Sequence, residues 1–378
     1  MTDLAYLSAV EAAAAFRART LSPVELLDAV IDRSTLTEPT INSLVWPRYD
    51  EAREEARAAE QRFLAGSPLG PLDGIPLAVK EEMAITGHRN TQASKTLRDH
   101  RAEHTHPVAE RLIDGGAVLH ARTTQPELAC AGVTWSYLFG TTRNPWNTSF
   151  DVGGSSGGAG AALASGVTTL ANGSDIGGSI RIPASCCGIV GHKPSYGTWP
   201  QEPPFTLDLY SHEGPMARTV SDCALFHDAV SGVHPGDLAS LRDPQIVSNA
   251  GSDIRGWKVA LSLDLDGWEV DPDVRANTFA IAAALRDAGA EVEEVRIGWS
   301  REEIITAAGI HFAAIFGAYI AAVAAEHADE MTPYALKFAE LASIYGEPGA
   351  LLRGIELEGG VALSLGTLLQ DFRIQLCP

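Results

Sequence analysis

The apolar residues of the first 70 positions recur every three to four residues, which is the spacing of helices. Ser22-Pro23-Val24-Glu25 has the pattern of a capping box with proline in the first helical turn, and residues 26–31 continue as an apolar stripe. Residues 50–64 form a second, charged and alanine-rich helical pattern. The sequence therefore predicts a helical N-terminal part, which ends at the glycine- and proline-rich turn of residues 66–74.

From residue 75 onward, short apolar runs alternate with helical patterns. Predicted strands at residues 75–80 and 117–121 flank a helix at 107–113, and later strands at 257–263 and 290–297 flank a helix at 271–288. A strand, a helix and a second strand in this order favour a parallel pair with a right-handed crossover. The pattern predicts an α/β fold with a mixed, largely buried central β-sheet covered by helices on both faces.

One long apolar stretch is ambiguous. Residues 304–325 contain no Asp, Glu, Lys or Arg and approach the length of a membrane span. The stretch is rich in Ala and Gly and includes Thr306, His311 and Tyr319. We therefore interpret it as a buried helix, or as one that lines an apolar substrate cavity, with a transmembrane helix as the alternative.

Composition and charge narrow the class of protein. The chain has 378 residues, of which 45% are hydrophobic and 20% charged, as in ordinary globular proteins. Its formal net charge of −20 opposes binding to nucleic acid or to anionic lipid. Five irregularly spaced cysteines argue against a disulfide framework, and the first ten residues lack the basic region of a signal peptide. These features predict a cytoplasmic protein with no nucleic-acid partner and no membrane span.

The candidate chemistry lies in two serine-bearing glycine clusters, residues 153–158 and 175–181, and in Lys80 at the end of an apolar run. Together they offer a serine nucleophile, a second hydroxyl, a base and free backbone N–H groups. These are the groups that acyl transfer needs when it uses neither a histidine nor a metal, so the sequence predicts neither a metal nor a cofactor.

Other motif interpretations fit less well. Residues 153–157 match the G-x-S-x-G pattern of a nucleophile elbow, but residues 144–150 before them are polar and turn-like instead of forming a strand. No Gly-Lys-Ser/Thr follows the glycines, which excludes a phosphate-binding loop. His100, His104 and His106 have no standard zinc spacing, so we interpret them as part of a solvated segment.

In their order and spacing, these motifs resemble the amidase signature family. No single motif would be sufficient, but the combination is highly specific. The resemblance covers roughly residues 7–230 well and the remainder weakly. It is carried by residues 74–81, 140–146, 153–158, 173–184 and 187–194.

The resemblance implies a triad of two serines and a lysine. Ser179 matches the family nucleophile, Ser155 matches a relay serine that follows a cis peptide bond, and Lys80 matches the base. The separation of 24 residues between the two serines agrees with the family pattern. A lysine acts as a base only in its neutral form, which burial away from water favours.

The resemblance also implies a supporting shell around the triad. Ser156 matches a supporting serine, and Asp175 and Arg181 match residues that brace the nucleophile loop. Backbone N–H groups are expected to form an oxyanion hole, with glycines leaving room for the substrate. The residues of this expected hole are Ile176, Gly177, Gly178 and Ser179.

We expect one amidase signature domain over residues 1–378. It would comprise a helical part (1–70), a catalytic core (71–230) and a substrate-side β-α-β part (231–378). Family members usually continue beyond a segment similar to the end of this chain, so the last part is expected to be short.

The implied activity is hydrolysis of a carboxylic amide, with esters and carbamates (urethanes) as open alternatives. The glutaminase subunit of a tRNA-dependent amidotransferase belongs to the same family, although Ile176 stands where such subunits usually carry threonine. A non-catalytic binding protein is a third hypothesis, against which the intact Lys80, Ser155 and Ser179 argue. The expected partner is a small-molecule substrate, and a homodimer is an open alternative because homodimers are common in the family.

Overall fold

The computed structural model describes residues 3–244, 246–248, 251 and 253–378, which form two compact units. The first unit comprises Met1–Asn249 and Asp329–Ala335, and the second comprises Ala250–Ala328 and Leu336–Pro378. The single domain expected over residues 1–378 stays a prediction. Residues 1, 2, 245, 249, 250 and 252 of its expected parts lie outside the described residues.

The strands and helices alternate along much of the chain. The strands are β1 (Leu44–Val45), β2 (Pro76–Lys80), β3 (Val118–Thr123), β4 (Trp135–Ser136), β5 (Gly140–Thr141), β6 (Leu170–Asp175), β7 (Val190–Gly191), β8 (His212–Ala217), β9 (Lys258–Leu261), β10 (Glu291–Glu294) and β11 (Ile374–Leu376). The helices are α1 (Ala9–Ala18), α2 (Pro23–Ile41), α3 (Tyr49–Ala65), α4 (Pro107–Asp114), α5 (Gly157–Ser165), α6 (Arg181–Cys187), α7 (Val220–Val230), α8 (Pro272–Asp287), α9 (Arg301–Phe312), α10 (Ala318–His327), α11 (Pro333–Ala339), α12 (Leu341–Tyr345) and α13 (Ala350–Leu368).

The predicted N-terminal helices are confirmed, including the start of α2. Ser22 accepts a hydrogen bond from Val24 N, and the Glu25 side chain accepts one from Ser22 N at 2.8 Å, which completes the capping box. Pro23 occupies the first turn, where its missing N–H group leaves no carbonyl unsatisfied. Local sequence signals were therefore sufficient for this part of the fold.

Six strands of the described chain form the central sheet, in the order β1-β3-β2-β6-β8-β7. Strand β2 is parallel to β3 and β6, whereas β8 is antiparallel to β6 and β7. Neighbouring residues of one strand point to opposite faces: Leu170 packs in the cluster that includes α1, α4 and α7, and Ala171 packs with residues of α5. The predicted mixed sheet with helices on both faces is confirmed.

The glycines of residues 153–158 allow a close approach of backbones. A Cβ atom on Gly158 would lie 2.4 Å from Thr124 N, and one on Gly154 would lie 2.6 Å from Val133 O. Real Cβ atoms do not approach other atoms so closely, so larger residues would displace the loop. Small residues therefore let the start of α5 pack closely against the chain at Thr124.

The second unit has a sheet of its own. Strands β10 and β11 lie on either side of β9, and both pair with it in parallel. The predicted parallel pair from a strand-helix-strand sequence is thus confirmed, but the sequence did not predict that this pair forms a separate sheet. The pairing of β9 with β11, more than 100 residues later, completes it.

The interpretation of residues 304–325 as a buried helix is wrong for most of the stretch. The helical run Arg301–His327 is long and apolar enough to cross a membrane by length and composition, and 28% of its most apolar window is buried within the structure. A single such helix is weak evidence for a membrane span. Alanine and glycine carry little apolar surface, so a helix rich in them can be apolar without being covered.

Candidate active site

Lys80 lies at the carboxyl end of β2 and is completely buried. Its Nζ donates hydrogen bonds to Ser155 Oγ at 2.7 Å and to Ser174 Oγ at 2.8 Å, and it lies 2.9 Å from Glu82 Oε1. The main-chain N–H of Lys80 donates to Asn172 Oδ1 at 2.9 Å. The structure thus brings the lysine and the first serine into contact, and their roles as base and relay stay predictions.

The two serine loops meet at the backbone. The peptide bond between Gly154 and Ser155 is cis, as the resemblance predicts. Ser156 N donates a hydrogen bond to Ser179 O at 3.1 Å, so the loop that carries Ser155 is tied to the loop that carries Ser179. Among the described residues, no hydrogen bond joins the hydroxyls of Ser155 and Ser179. Their direct proton transfer stays a prediction.

The loop that carries Ser179 is organised around Asp175, the last residue of β6. Its carboxylate accepts hydrogen bonds from Gly178 N at 2.8 Å and Ile180 N at 3.1 Å, and from Arg181 Nε at 3.0 Å and Nη2 at 2.8 Å. Gly178 has a φ of +118°, which is open to glycine and strained for other residues. Asp175 and Arg181 therefore brace the loop, as the sequence led us to expect.

These contacts reduce the number of N–H groups that are available to the expected oxyanion hole. Of its four N–H groups, the one of Gly178 is already engaged by Asp175 Oδ1. The remaining candidates are the N–H groups of Ile176, Gly177 and Ser179. Gly177 is exposed, and the other two are partly exposed, so a substrate oxygen can reach this loop.

The charge on Asp175 makes the stability of this loop depend on pH. Burial raises the pKa of Asp175, but the hydrogen bonds and charge of Arg181 and the N–H groups of Gly178 and Ile180 outweigh burial and hold the pKa below its usual value of 3.8. A carboxyl group with a lowered pKa in the folded state contributes stability above its unfolded pKa. That contribution is lost as the pH falls through the folded pKa.

We expect Asp175→Asn to lower the free energy of unfolding at pH 7 by about 2 to 4 kcal/mol, because the guanidinium and N–H groups lose their anionic acceptor. Urea unfolding of both proteins at pH 7 and at pH 3 measures the effect, and the difference should shrink at the lower pH. Asp28→Asn is the control, because Asp28 and its partner Arg53 are both partly exposed to water. An equal loss at both pH values would contradict this role of the charge.

Arg122 of β3 holds the turn that follows Lys80. It is buried, and its guanidinium donates to the carbonyl oxygens of Lys80 and Glu81, both at 2.9 Å, and to Val79 O at 3.2 Å. Burial lowers the pKa of Arg122 to about 10, against the opposing charge of Glu81. Sequence analysis missed this residue, because nothing local shows that its side chain folds back over the neighbouring strand.

A second set of residues that sequence analysis missed surrounds Lys80. Ser174 Oγ donates to Glu82 Oε1, and Asn172 Nδ2 donates to Glu213 Oε2 at 2.8 Å. Ser174 lies within the motif that carried the resemblance, and Glu82 follows Lys80 closely in sequence, so both could have been proposed. Glu213 had no such signal, because only the pairing of β8 with β6 brings it opposite Ser174.

The interpretation of the histidine-rich segment as solvated is wrong for one of its residues. His106 is buried instead of solvated, and its Nδ1 accepts a hydrogen bond from Val108 N at 3.1 Å at the start of α4. Burial lowers the pKa of His106 to about 3, which makes it a neutral helix cap. His104 pairs with Glu202 instead of joining its neighbours. Within the described residues, no group of three or more His, Cys, Asp or Glu could hold a metal ion.

Comparison with known proteins shows which family the chain resembles in sequence and in structure. The family model described as Amidase matches residues 25–343. A solved structure of a bacterial aryl acylamidase that belongs to the amidase signature enzymes superposes with a TM-score of 0.92 and 30% identity, and the match covers 99% of this chain and 79% of that one.

Two curated relatives carry different descriptions. One subunit of the glutamyl-tRNA(Gln) amidotransferase of Acidothermus cellulolyticus is 39% identical over 302 residues, which is 78% of this chain and 59% of the relative. An acylamidase of Rhodococcus erythropolis is 36% identical over 304 residues, which is 79% of this chain and 63% of the relative. The chain thus spans about three fifths of the length of the curated relatives that it matches.

Proposed function

The chain belongs to the amidase signature family of amidohydrolases, and we propose that it cleaves the C–N bond of a carboxylic amide through an acyl-enzyme on Ser179. The observation that carries the proposal is the buried 2.7 Å hydrogen bond from Lys80 Nζ to Ser155 Oγ, next to the loop of Ser179. A buried lysine bonded to a serine hydroxyl is the arrangement that a serine nucleophile needs when no histidine acts as base.

In the proposed reaction, Ser179 Oγ attacks the amide carbonyl. At the same time the hydroxyl proton of Ser179 passes to Ser155, and the hydroxyl proton of Ser155 passes to Lys80. The developing oxyanion is bound by the N–H groups of Ile176, Gly177 and Ser179. The amine leaves with a proton from the same relay, and water then hydrolyses the ester on Ser179. Each oxyanion donor in such a site contributes roughly 10²- to 10³-fold in rate.

The relatives support two different candidate functions. The aryl acylamidase and the acylamidase support the first candidate function, hydrolysis of an amide. Esters and carbamates are open alternatives as substrates of the same enzyme. The 39% identity to one component of an amidotransferase supports the second candidate function, a glutaminase that works in a complex. For the first function, we propose a cytoplasmic enzyme whose partner is a small-molecule substrate, either alone or as a homodimer.

We expect the purified chain to hydrolyse at least one anilide or alkyl amide without a partner. The test is a screen of anilides, alkyl amides, esters, carbamates and glutamine, in which the release of amine or alcohol is measured. The Ser179→Ala protein is run in parallel to remove background hydrolysis. If glutamine is the single substrate that turns over, and if its turnover requires the other components of an amidotransferase, the result would support the second function and contradict the first.

A further inference from the structure

Three oxygen atoms surround the side-chain nitrogen of Lys80. They are Ser155 Oγ at 2.7 Å, Ser174 Oγ at 2.8 Å and Glu82 Oε1 at 2.9 Å. An ammonium group has three N–H donors, whereas a neutral amine has two donors and one lone pair. If the lone pair accepts the proton of Ser155, the two remaining N–H groups still have acceptors in Ser174 and Glu82.

Glu82 has two contacts at this site, one with Lys80 and one with Ser174. Its Oε1 atom lies at Lys80 Nζ and also accepts the hydrogen bond of Ser174 Oγ, while Ser174 itself accepts from Lys80. The Glu82 side chain is 19% exposed and that of Lys80 is 0% exposed, so water screens this pair little. Lys80 Nζ donates to Ser174 Oγ, Ser174 Oγ donates to Glu82 Oε1, and Glu82 Oε1 forms an ion pair with Lys80 Nζ, so each of the three groups contacts the other two.

The proposal rests on the function proposed above. We propose that Glu82 is a positioning residue that acts through Lys80: its carboxylate orients the amine towards Ser155 and stabilises the ammonium that forms during acylation. In that step the O–H bond of Ser155 breaks, an N–H bond forms on Lys80, and Ser155 takes the proton of Ser179. A positive charge therefore appears on Nζ as the oxyanion appears on the substrate.

A second carboxyl group, that of Glu213, faces the same site from β8. It is linked to the main chain of Lys80 through Asn172, which accepts from Lys80 N and donates to Glu213 Oε2. Burial and then the charge of Glu82 raise the pKa of Glu213 to about 8, against the opposing charge of Lys80. Burial and the nearby Glu82 thus both disfavour a charge on Glu213, and Glu82 is the carboxyl group that lies directly beside the amine. Asp175, further along β6, is neutralised by its own partner Arg181.

The carboxylate of Glu82 has two opposite effects. It speeds the chemical step because it stabilises the cation that forms on Lys80. A carboxylate beside an amine also stabilises the ammonium form relative to the neutral amine. Removal of the charge should therefore lower the maximal rate and at the same time move the acidic limb of the pH profile to lower pH. A residue that only supports the fold would lower the rate without moving the limb.

The experiment follows the modification of Ser179 by a phosphonyl fluoride from pH 5 to 10, which requires no knowledge of the substrate. In Glu82→Gln we expect the plateau rate to fall about tenfold or more and the acidic limb to move down by about one pH unit or more. Glu103→Gln, at an exposed glutamate of the same unit, should match the wild type. A limb at the wild-type position in Glu82→Gln would overturn the inference.

Glu82→Asp keeps the charge but is one methylene shorter. We expect its acidic limb to stay at the wild-type position while its plateau rate falls, because the carboxylate is displaced from Nζ. This variant also serves if Glu82→Gln does not fold, and a wild-type plateau rate in it would overturn the inference. Absence of any Ser179 adduct in the wild-type protein would instead contradict the proposed function itself, so the two failures are distinguishable.

Discussion

Ser179→Ala should remove amide turnover, with kcat/KM lower by roughly 10⁴- to 10⁶-fold, the range for loss of a catalytic serine. Without Oγ no acyl-enzyme can form, and the remaining groups only bind the substrate and its oxyanion. The side chain is small and partly exposed, so the substitution should leave the fold unchanged. Turnover of the best substrate from the screen, with thermal unfolding measured in parallel, checks both expectations.

The matched control for this variant is Ser195→Ala, at an exposed serine of the same unit. Peptide mass spectrometry after treatment with a sulfonyl or phosphonyl fluoride provides an independent check. The adduct should lie on Ser179 in the wild type and in the control, and the Ser179→Ala protein should carry none. Retained turnover in Ser179→Ala, or an adduct on Ser155 or Ser156, would show that the nucleophile is assigned wrongly.

Lys80→Met should lower kcat/KM by about 10³-fold or more, since it removes the only base in contact with Ser155 among the described residues. Methionine keeps most of the buried volume and removes the amine together with its N–H donors. Ser155, Ser174 and Glu82 then lose a partner, so we also expect a loss of about 3 to 5 kcal/mol in the free energy of unfolding.

Because this variant is expected to lose stability, its activity has to be compared with the amount of folded protein. Circular dichroism and thermal unfolding give that amount, and kcat/KM is then measured well below the unfolding midpoint. Lys258→Met, at an exposed lysine of β9, is the control for loss of a lysine charge. A folded Lys80→Met protein with wild-type kcat/KM would exclude Lys80 as the base.

Sequence analysis predicted those parts of the site that local patterns carry. Lys80 ends an apolar run that became β2, and Asp175 and Ser179 belong to one glycine-rich motif. Because β2 and β6 are parallel neighbours, their carboxyl ends lie at the same edge of the sheet, which brings Lys80 close to the nucleophile loop. The motif order therefore predicted the lysine and both serines, but it did not predict the carboxyl groups around them.

Glu213 and Arg122 show why the remainder could not be predicted. Glu213 faces the lysine cluster because β8 pairs with β6 in one particular register, with Ser174 opposite Glu213. A shift of one residue would turn Glu213 to the other face of the sheet, and no local signal sets that register. Arg122 likewise acts on the turn after Lys80 only because β3 lies beside β2.

From the sequence by itself came the N-terminal helices with the start of α2, the four strands β2, β3, β9 and β10, the α/β class and the proposed residues of the catalytic centre. These follow from periodicity, caps and short motifs, which depend on neighbours along the chain. The tertiary structure alone decided the separate sheet of the second unit, the exposure of the Arg301–His327 helix and the carboxyl groups that surround Lys80. These depend on which distant strands become neighbours, because burial and charge act through space and not along the chain.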